Sequence, residues 1–175
     1  MSTKNLPLTI QSPLIANFGA KIVIGTNYYS LDSSKTNVYW YMVVDRTTLD
    51  VKVNLSTSDN QNVPSAIQPY VGNNQYILIF TTSLINSANI PTGALYNYLI
   101  KEGASVELKS MEQIYATLNC GNWGWFAYTF VGIMDNDETP GYELFSYSHS
   151  TVMTMQLLPV TTPSGVLYSP TPIGC

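Results

Sequence analysis

Residues 38–44 are Val38-Tyr39-Trp40-Tyr41-Met42-Val43-Val44, an unbroken run of apolar and aromatic side chains. A strand with one face in water alternates apolar and polar residues, whereas this run has no polar position. β-Branched and aromatic residues also favour the extended backbone of a strand. The run therefore predicts a central strand that is covered on both faces, with Trp40 in the core.

The segments on either side of this run predict further strands. Residues 45–50 are typical of a hairpin connection, and residues 51–55 alternate between inward Val51, Val53 and Leu55 and outward polar residues. The remaining strands are predicted from short apolar or aromatic stretches at residues 21–24, 76–80 and 125–134, followed by a hairpin of residues 142–147 and 152–158. Trp125 is expected in the core with Trp40.

Two helices are predicted between residues 91 and 118. Pro91 and Thr92 favour a helix start, and Gly103 is placed to end that helix. Ser105 is predicted to cap a second helix. The apolar positions of this second helix recur in steps of three and four and form one face directed at the core: Leu108, Met111, Tyr115 and Leu118.

The predicted fold class is α+β, with two β-sheets of mixed or antiparallel strands flanked by two helices. Residues 1–20 are predicted as an extended N-terminal arm, 21–158 as a single α+β domain, and 159–175 as a proline-containing C-terminal arm. The second arm has no charged residue and several apolar ones, which a free tail would expose to water. We therefore expect this arm to dock on its own domain or on a neighbour.

Part of the chain resembles a known family. The segments concerned are Tyr41-Met42-Val43-Val44-Asp45, Leu49-Asp50-Val51, Gln75-Tyr76-Ile77-Leu78-Ile79-Phe80, Glu102-Gly103-Ala104 and Trp125-Phe126-Ala127-Tyr128-Thr129-Phe130-Val131-Gly132. Their order over residues 38–147 resembles the interleukin-like epithelial–mesenchymal transition inducer domain, also called the PANDER-like fold. The resemblance implies a non-catalytic domain of two sheets flanked by helices. Members of the family act as secreted signalling proteins or as carbohydrate-binding appendages to enzymes, and no site residue is carried over from them.

Charge is scarce in this chain. Charged residues make up 10% of it, where about 25% is usual, and the net charge is −4 with Arg46 as the only arginine. Phosphate recognition depends on clustered arginine and lysine, so we expect no nucleic-acid partner. No apolar stretch is long enough to span a membrane, and no secretory signal is predicted. The compartment stays open, although the composition favours an extracellular or surface assembly.

The sequence offers no recognisable catalytic or metal-binding set, and no cofactor or metal ion is predicted. His149 is the only histidine and is expected at the surface, unable to pair directly with Ser148, because adjacent strand residues point to opposite faces. The acidic residues 135–138 are interpreted as a solvated turn rather than a calcium loop. Glu102, Glu107 and Glu112 are interpreted as exposed carboxylates. We therefore predict that the protein is not an enzyme.

Aromatic and cysteine side chains provide the candidate ligand sites. Trp123 follows Asn122 in a loop, and Tyr28 and Tyr29 stand together after a predicted strand. Sugars stack on exposed aromatic rings, so these four residues are candidate glycan contacts. Cys120 and Cys175 are interpreted first as two unrelated thiols and second as a bridge, with each other or with another chain.

These features predict a non-catalytic interaction or assembly protein. Surfaces of hydroxyl and amide side chains carry little charge repulsion, so we expect self-association through the two arms and the low-charge surface. The partner is thus a second copy of the chain or another protein. The alternative is a glycan-binding module that uses exposed Trp and Tyr side chains, and an enzyme of unrecognised type comes last.

Overall fold

A computed structural model describes residues 4–15, 18–118, 124–135 and 140–173. In these ranges two antiparallel sheets pack face to face, and helices cover the other face of the second sheet. The predicted α+β class is confirmed in its coarse form, with far more sheet than helix. All strand pairs in the described ranges are antiparallel, so no mixed sheet occurs there.

Each sheet takes its strands from a different part of the chain. The first sheet contains, in spatial order, β11 (Gly165–Pro172), β10 (Thr151–Thr162), β1 (Leu6–Ser12), β2 (Lys21–Ile24) and β3 (Asn27–Ser30). The second contains β5 (Val51–Thr57), β4 (Val38–Asp45), β6 (Tyr76–Ser83) and β8 (Trp125–Ile133), with β7 (Ile85–Asn86) and β9 (Tyr142–Ser146) both paired to β8. The first sheet therefore joins the two end regions, and the second uses the middle.

The predicted helices are confirmed as α1 (Gly93–Lys101) and α2 (Val106–Leu118), and a short 3₁₀ helix covers Ser65–Tyr70. Gly103, with a φ of 103°, follows α1 in the left-handed region that favours glycine. Leu108 and Met111 are buried as predicted, but Tyr115 is 39% exposed. The apolar face of α2 is therefore narrower than its sequence pattern indicates.

The side chains of β4 contribute to two hydrophobic cores, because they alternate between the two faces of the second sheet. Tyr39, Tyr41 and Val43 pack against the helix layer. The intervening residues of the same strand, Trp40 among them, pack against the first sheet. Each of these side chains is at most 1% exposed, so the prediction of a doubly covered strand is confirmed.

Trp125 departs from its predicted place in the core. It is 43% exposed, because it begins β8 and pairs with Asn86 of the two-residue β7, where the covering layers end. The adjacent Phe126 is 2% exposed. An apolar run therefore predicts the strand but not where along it the covering layers stop.

The predicted hairpin of residues 142–147 and 152–158 is wrong. β9 pairs with β8 in the second sheet, with Ala127 opposite Ser146, whereas β10 pairs with β1 and β11 in the first sheet. The chain between β9 and β10 thus crosses from one sheet to the other. Strand pairing depends on long-range partners, which the local alternation of these two segments does not specify.

The two segments predicted as arms are strands of the first sheet. β1 lies at the centre of that sheet between β10 and β2, because Leu8 and Ile10 bury their side chains completely in the core between the sheets. At the other end of the sequence, β11 pairs with β10 along its whole length. The expectation that the C-terminal segment docks is confirmed for Gly165–Pro172, and it docks on its own domain.

Arg46 fastens β11 to the second sheet. Its Nε donates a hydrogen bond to the Tyr168 carbonyl oxygen at 2.8 Å, and its Nη1 donates one to the Asn74 carbonyl at 2.7 Å. The Tyr168 amide in turn donates to the Arg46 carbonyl at 2.8 Å. Burial lowers the pKa of this guanidinium, which is 9% exposed. The only arginine of the chain therefore has a structural role, which is to hold β11 in place.

Small hydroxyl side chains join the two sheets where the strands approach each other closely. Ser12 Oγ donates to the Thr82 carbonyl oxygen at 2.7 Å and lies 2.9 Å from Thr82 Oγ1. Thr129 and Thr151 bring their hydroxyl oxygens within 3.4 Å of each other across the same interface. Because all four residues are buried, these contacts satisfy polar groups that the interior would otherwise leave unpaired.

Candidate functional site

The predicted ligand residues do not form one site in the described structure. Tyr28 and Tyr29 lie on β3, an edge strand, and point to opposite sides of the first sheet: Tyr28 is 60% exposed, whereas Tyr29 packs on the core between the sheets. The other predicted positions lie outside the described residues: Asn122, Trp123, Cys120 and Cys175. The glycan contact at Asn122 and Trp123 stays a prediction, and both interpretations of Cys120 and Cys175, as unrelated thiols or as a bridge, stay open.

The outward side of the first sheet, which we call the open face, is free of any covering layer within the described chain. Residues of β10 alternate regularly, with Met153 and Met155 buried while Val152 and Thr154 are exposed. Cross-strand pairing sets Thr154, Thr9, Val23 and Tyr28 in one row on this face. The open face is therefore a broad surface of hydroxyl, amide and aliphatic side chains.

The open face also contains almost no charge. The five strands of the first sheet include one charged residue, Lys21, and no Asp or Glu. The acidic side chains that give the protein its net charge of −4 lie elsewhere in the sequence. A second copy approaching this face thus meets little electrostatic repulsion.

A groove lies between α2 and the ends of β8 and β9. We call it the helix groove; it has a volume of about 630 Å³ and is lined by Ser110, Gln113, Ile114, Thr117, Gly124, Phe126 and Tyr147. On the aromatic side, the Phe126 and Phe145 rings meet edge to face with centroids 5.3 Å apart. The centroid of the Tyr147 ring lies 6.4 Å from that of Phe145, and the Tyr147 side chain is 65% exposed. The groove therefore combines an exposed aromatic ring with uncharged hydrogen-bonding groups.

A second cavity, of about 740 Å³, opens at one end of the sandwich. Its apolar floor includes Leu6, Ile24 and Tyr168, and its rim includes Asn27 and Asp50. Asp50 already has a partner, because its carboxylate lies 3.5 Å from Lys52 Nζ. The rim thus offers no unpaired charge to attract a ligand.

Glu143 is the most highly connected carboxylate of the described chain. It projects from β9 to the start of α2, where it accepts hydrogen bonds from the backbone amides of Ser105 at 2.7 Å, Leu108 at 3.2 Å and Glu107 at 3.4 Å. The Tyr128 hydroxyl donates to the same carboxylate at 2.5 Å. The first turn of α2 is therefore capped by Glu143, with the predicted cap Ser105 as one of the donors.

Four buried polar atoms under α1 lack a hydrogen-bond partner in the described structure. They are the hydroxyl oxygens of Tyr39, Tyr41 and Tyr98, and Oε1 of Glu102. Burial raises the pKa of all four groups. Glu102 is 4% exposed, which corrects its assignment as a surface carboxylate. Sequence reasoning missed this group because a carboxylate near a helix end is ordinarily exposed, and burial of this one depends on the tertiary fold.

His149 is exposed as predicted, but its predicted separation from Ser148 is wrong. Ser148 Oγ lies 2.9 Å from His149 Nδ1, and Ser146 Oγ lies 3.2 Å from the same atom. Residues 147–149 form a bend rather than a strand, so the alternation of side chains does not apply to them. No carboxylate of the described residues hydrogen-bonds to the imidazole to orient it as a base.

In the described part of the chain, no group of three or more His, Cys, Asp or Glu side chains is arranged to hold a metal ion. The helices of the same residues are all too short or too polar to cross a membrane.

No protein-family model matches the sequence, and no curated protein sequence matches it significantly. The resemblance to the interleukin-like inducer domain therefore stays a prediction.

Proposed function

We propose that this protein is a non-catalytic interaction protein that associates with copies of itself through the open face. The observation that carries this proposal is a five-stranded sheet face with one charged residue, Lys21, in a chain of net charge −4. The inner face of the same sheet is filled by the core between the sheets. The outer face is thus the part of this sheet that remains to be covered.

The size of the open face suits a small interface. Five strands about 4.8 Å apart, each about seven residues long, make a face of roughly 24 Å by 23 Å. That is a projected area of roughly 550 Å², and a standard interface buries about 800 Å² on each partner. Two apolar side chains in the connection between β1 and β2 are also exposed, Ile15 by 60% and Phe18 by 52%.

Association through the face is favoured over association through the edges of the sheet. Edge strands invite pairing with another chain, and natural proteins block them with prolines or keep them short. β11 contains Pro170 and Pro172, which cannot donate ladder hydrogen bonds, and β3 is only four residues long. The arms predicted to exchange between copies are paired within one chain, so the low-charge surface carries the proposal alone.

A charge placed on the open face tests this proposal. In Thr154→Lys, copies meeting face to face bring like charges together, so we expect the variant to be a monomer where the wild type is larger. Ala116→Lys adds the same charge on exposed α2, in the opposite layer, and is expected to keep the wild-type mass. Light scattering coupled to size exclusion measures all three proteins. A monomeric wild type at high concentration, or a Thr154→Lys oligomer, would overturn the proposal.

The second candidate function is binding of a neutral glycan, and the helix groove favours it. A sugar ring can stack on the exposed Tyr147 side chain while Gln113 and Thr117 hydrogen-bond its hydroxyl groups. The described lining has no charged side chain, which disfavours phosphorylated or acidic ligands. This location differs from that of Tyr28, the predicted glycan contact on the open face.

Substitution of two tyrosines of similar exposure distinguishes the helix groove from the open face as the glycan site. Tyr147 is 65% exposed in the helix groove and Tyr28 is 60% exposed on the open face. A glycan array identifies a ligand, and calorimetric titration then compares Tyr147→Ala with Tyr28→Ala. We expect Tyr147→Ala to weaken binding about tenfold or more and Tyr28→Ala to leave it unchanged. The reverse pattern, or an array without hits, would reject the helix groove.

A further inference from the structure

We propose that Glu102 is a protonation-dependent latch, whose neutral carboxyl holds the end of β8 against the C-terminus of α1 and whose ionisation loosens that contact. Glu102 follows α1 directly, and its backbone amide donates to the Tyr98 carbonyl oxygen at 2.9 Å. Its side chain is 4% exposed. Oε2 accepts a hydrogen bond from the Asp135 amide at 3.0 Å, beyond the end of β8, so one carboxyl group connects two elements.

The backbones at this junction also fit together closely. A Cβ at Gly132 of β8 would lie 2.9 Å from the Glu102 carbonyl oxygen, so only glycine allows this approach. On the other side, Gly141 donates its amide hydrogen to the Gly103 carbonyl oxygen at 3.2 Å. Asp135 has a φ of 54°, which is unfavourable for a residue with a side chain. The Glu102 hydrogen bond therefore helps to hold a strained turn in place.

The carboxyl group is poorly prepared to be charged. Oε1 has no partner among the described residues, and neither has the nearby Tyr98 hydroxyl. Burial is the main cause of the raised pKa of Glu102, and the Asp135 carboxylate adds to it. The hydrogen bond from the Asp135 amide and the charge of Lys101 act in the opposite direction. Burial prevails, so the docked carboxyl binds its proton more tightly than a free glutamate does.

The direction of the pH dependence follows from this shift. Well below the ordinary value of 4.5, Glu102 is protonated whether the junction is docked or open, and the latch has its full strength. Above that value the open form ionises first, so each further rise in pH favours opening until the docked carboxyl also loses its proton. The latch thus closes in acid and loosens as the pH rises.

Amide protection of Asp135 and Gly141, measured by NMR and corrected for intrinsic exchange, tests the latch. In the wild type we expect protection to fall about tenfold for each unit by which the docked pKa exceeds the ordinary one, as the pH rises from about 5 to about 8. Glu102→Gln, which is neutral at every pH, should keep protection constant. Glu112→Gln removes an exposed carboxylate of α2 and should behave as the wild type.

Two results would overturn the proposal. One is protection that is independent of pH in the wild type, or equally dependent on pH in Glu102→Gln. The other needs no variant: the ¹³C resonance of the Glu102 carboxyl should titrate above 4.5, and a midpoint at or below that value contradicts the latch.

Discussion

Replacement of Glu143 by alanine should destabilise the protein strongly, although the side chain is only partly buried. The change removes the acceptor for three amides at the start of α2 and for the Tyr128 hydroxyl. Loss of a helix cap costs about 1 kcal/mol, and a buried hydroxyl left unpaired costs about 1–3 kcal/mol. We therefore expect a loss of roughly 2–4 kcal/mol, which lowers the Tm on the order of 10 °C in a chain of this size.

Urea unfolding of a small set of variants separates the two contributions. In a Tyr128→Phe background no hydroxyl is left without a partner, so Glu143→Ala should cost only the cap, about 1 kcal/mol. Glu112→Ala provides the control, since this exposed carboxylate of α2 accepts a hydrogen bond at 2.9 Å from the Tyr96 hydroxyl at the surface. The reasoning is refuted if Glu143→Ala costs less than about 0.5 kcal/mol, or if its cost is the same with and without the Tyr128 hydroxyl.

Three further substitutions test the structural contacts. Arg46→Met removes the two hydrogen bonds that the guanidinium donates to the Tyr168 and Asn74 carbonyl oxygens, so amide exchange along β11 should accelerate while exchange in β2 stays unchanged. Gly141→Ala places a Cβ 2.2 Å from the Phe130 ring, and the urea midpoint should fall by the equivalent of about 1–3 kcal/mol. Thr82→Val keeps the side-chain shape but leaves the buried Tyr128 amide without its acceptor at 2.9 Å, so calorimetry should show a loss of about 1–3 kcal/mol. A variant that matched the wild type would contradict the role given to its contact.

The local sequence pattern was sufficient to predict the buried faces of the elements whose apolar residues are strongly periodic. The apolar run in β4 predicts two buried faces, and the structure divides its residues between two cores. Leu108 and Met111 mark the buried face of α2 for the same reason. In these cases burial on each side follows directly from the spacing of apolar residues, which is a property of the sequence.

The pairing of strands that are distant in sequence could not be predicted from local sequence pattern. β9 and β10 alternate in the manner of a hairpin, yet Ser146 pairs with Ala127 of β8 while Thr151 pairs with Ser12 of β1. The bend between them also brings Ser148 to His149, which a continuous strand would have prevented. Sheet membership is determined by partners distant in sequence, so two short strands with a turn between them do not determine it.

The candidate sites were predicted least well, because exposure and burial of polar groups depend on the tertiary fold. Tyr147 was absent from the predicted ligand residues, since nothing local distinguishes an exposed tyrosine among thirteen. Glu102 was assigned to the surface because carboxylates near helices are ordinarily exposed, whereas the fold leaves it only 4% exposed. The scarcity of charge in the whole chain is visible in its composition. The composition does not show that the five strands of the first sheet contain a single charged residue, Lys21.

The assembly of the first sheet from both end regions has a consequence for synthesis. β1, β2 and β3 are synthesised before β10, the partner of β1 on its other side, which begins about 120 residues after β3 ends. At roughly 5–20 residues per second, that interval is about 6–24 s. During this time β1, which lies at the centre of the finished sheet, is an open edge strand that carries the apolar side chains of Leu8 and Ile10. Chains stalled before residue 151 should therefore be the form of this protein most prone to pair with one another.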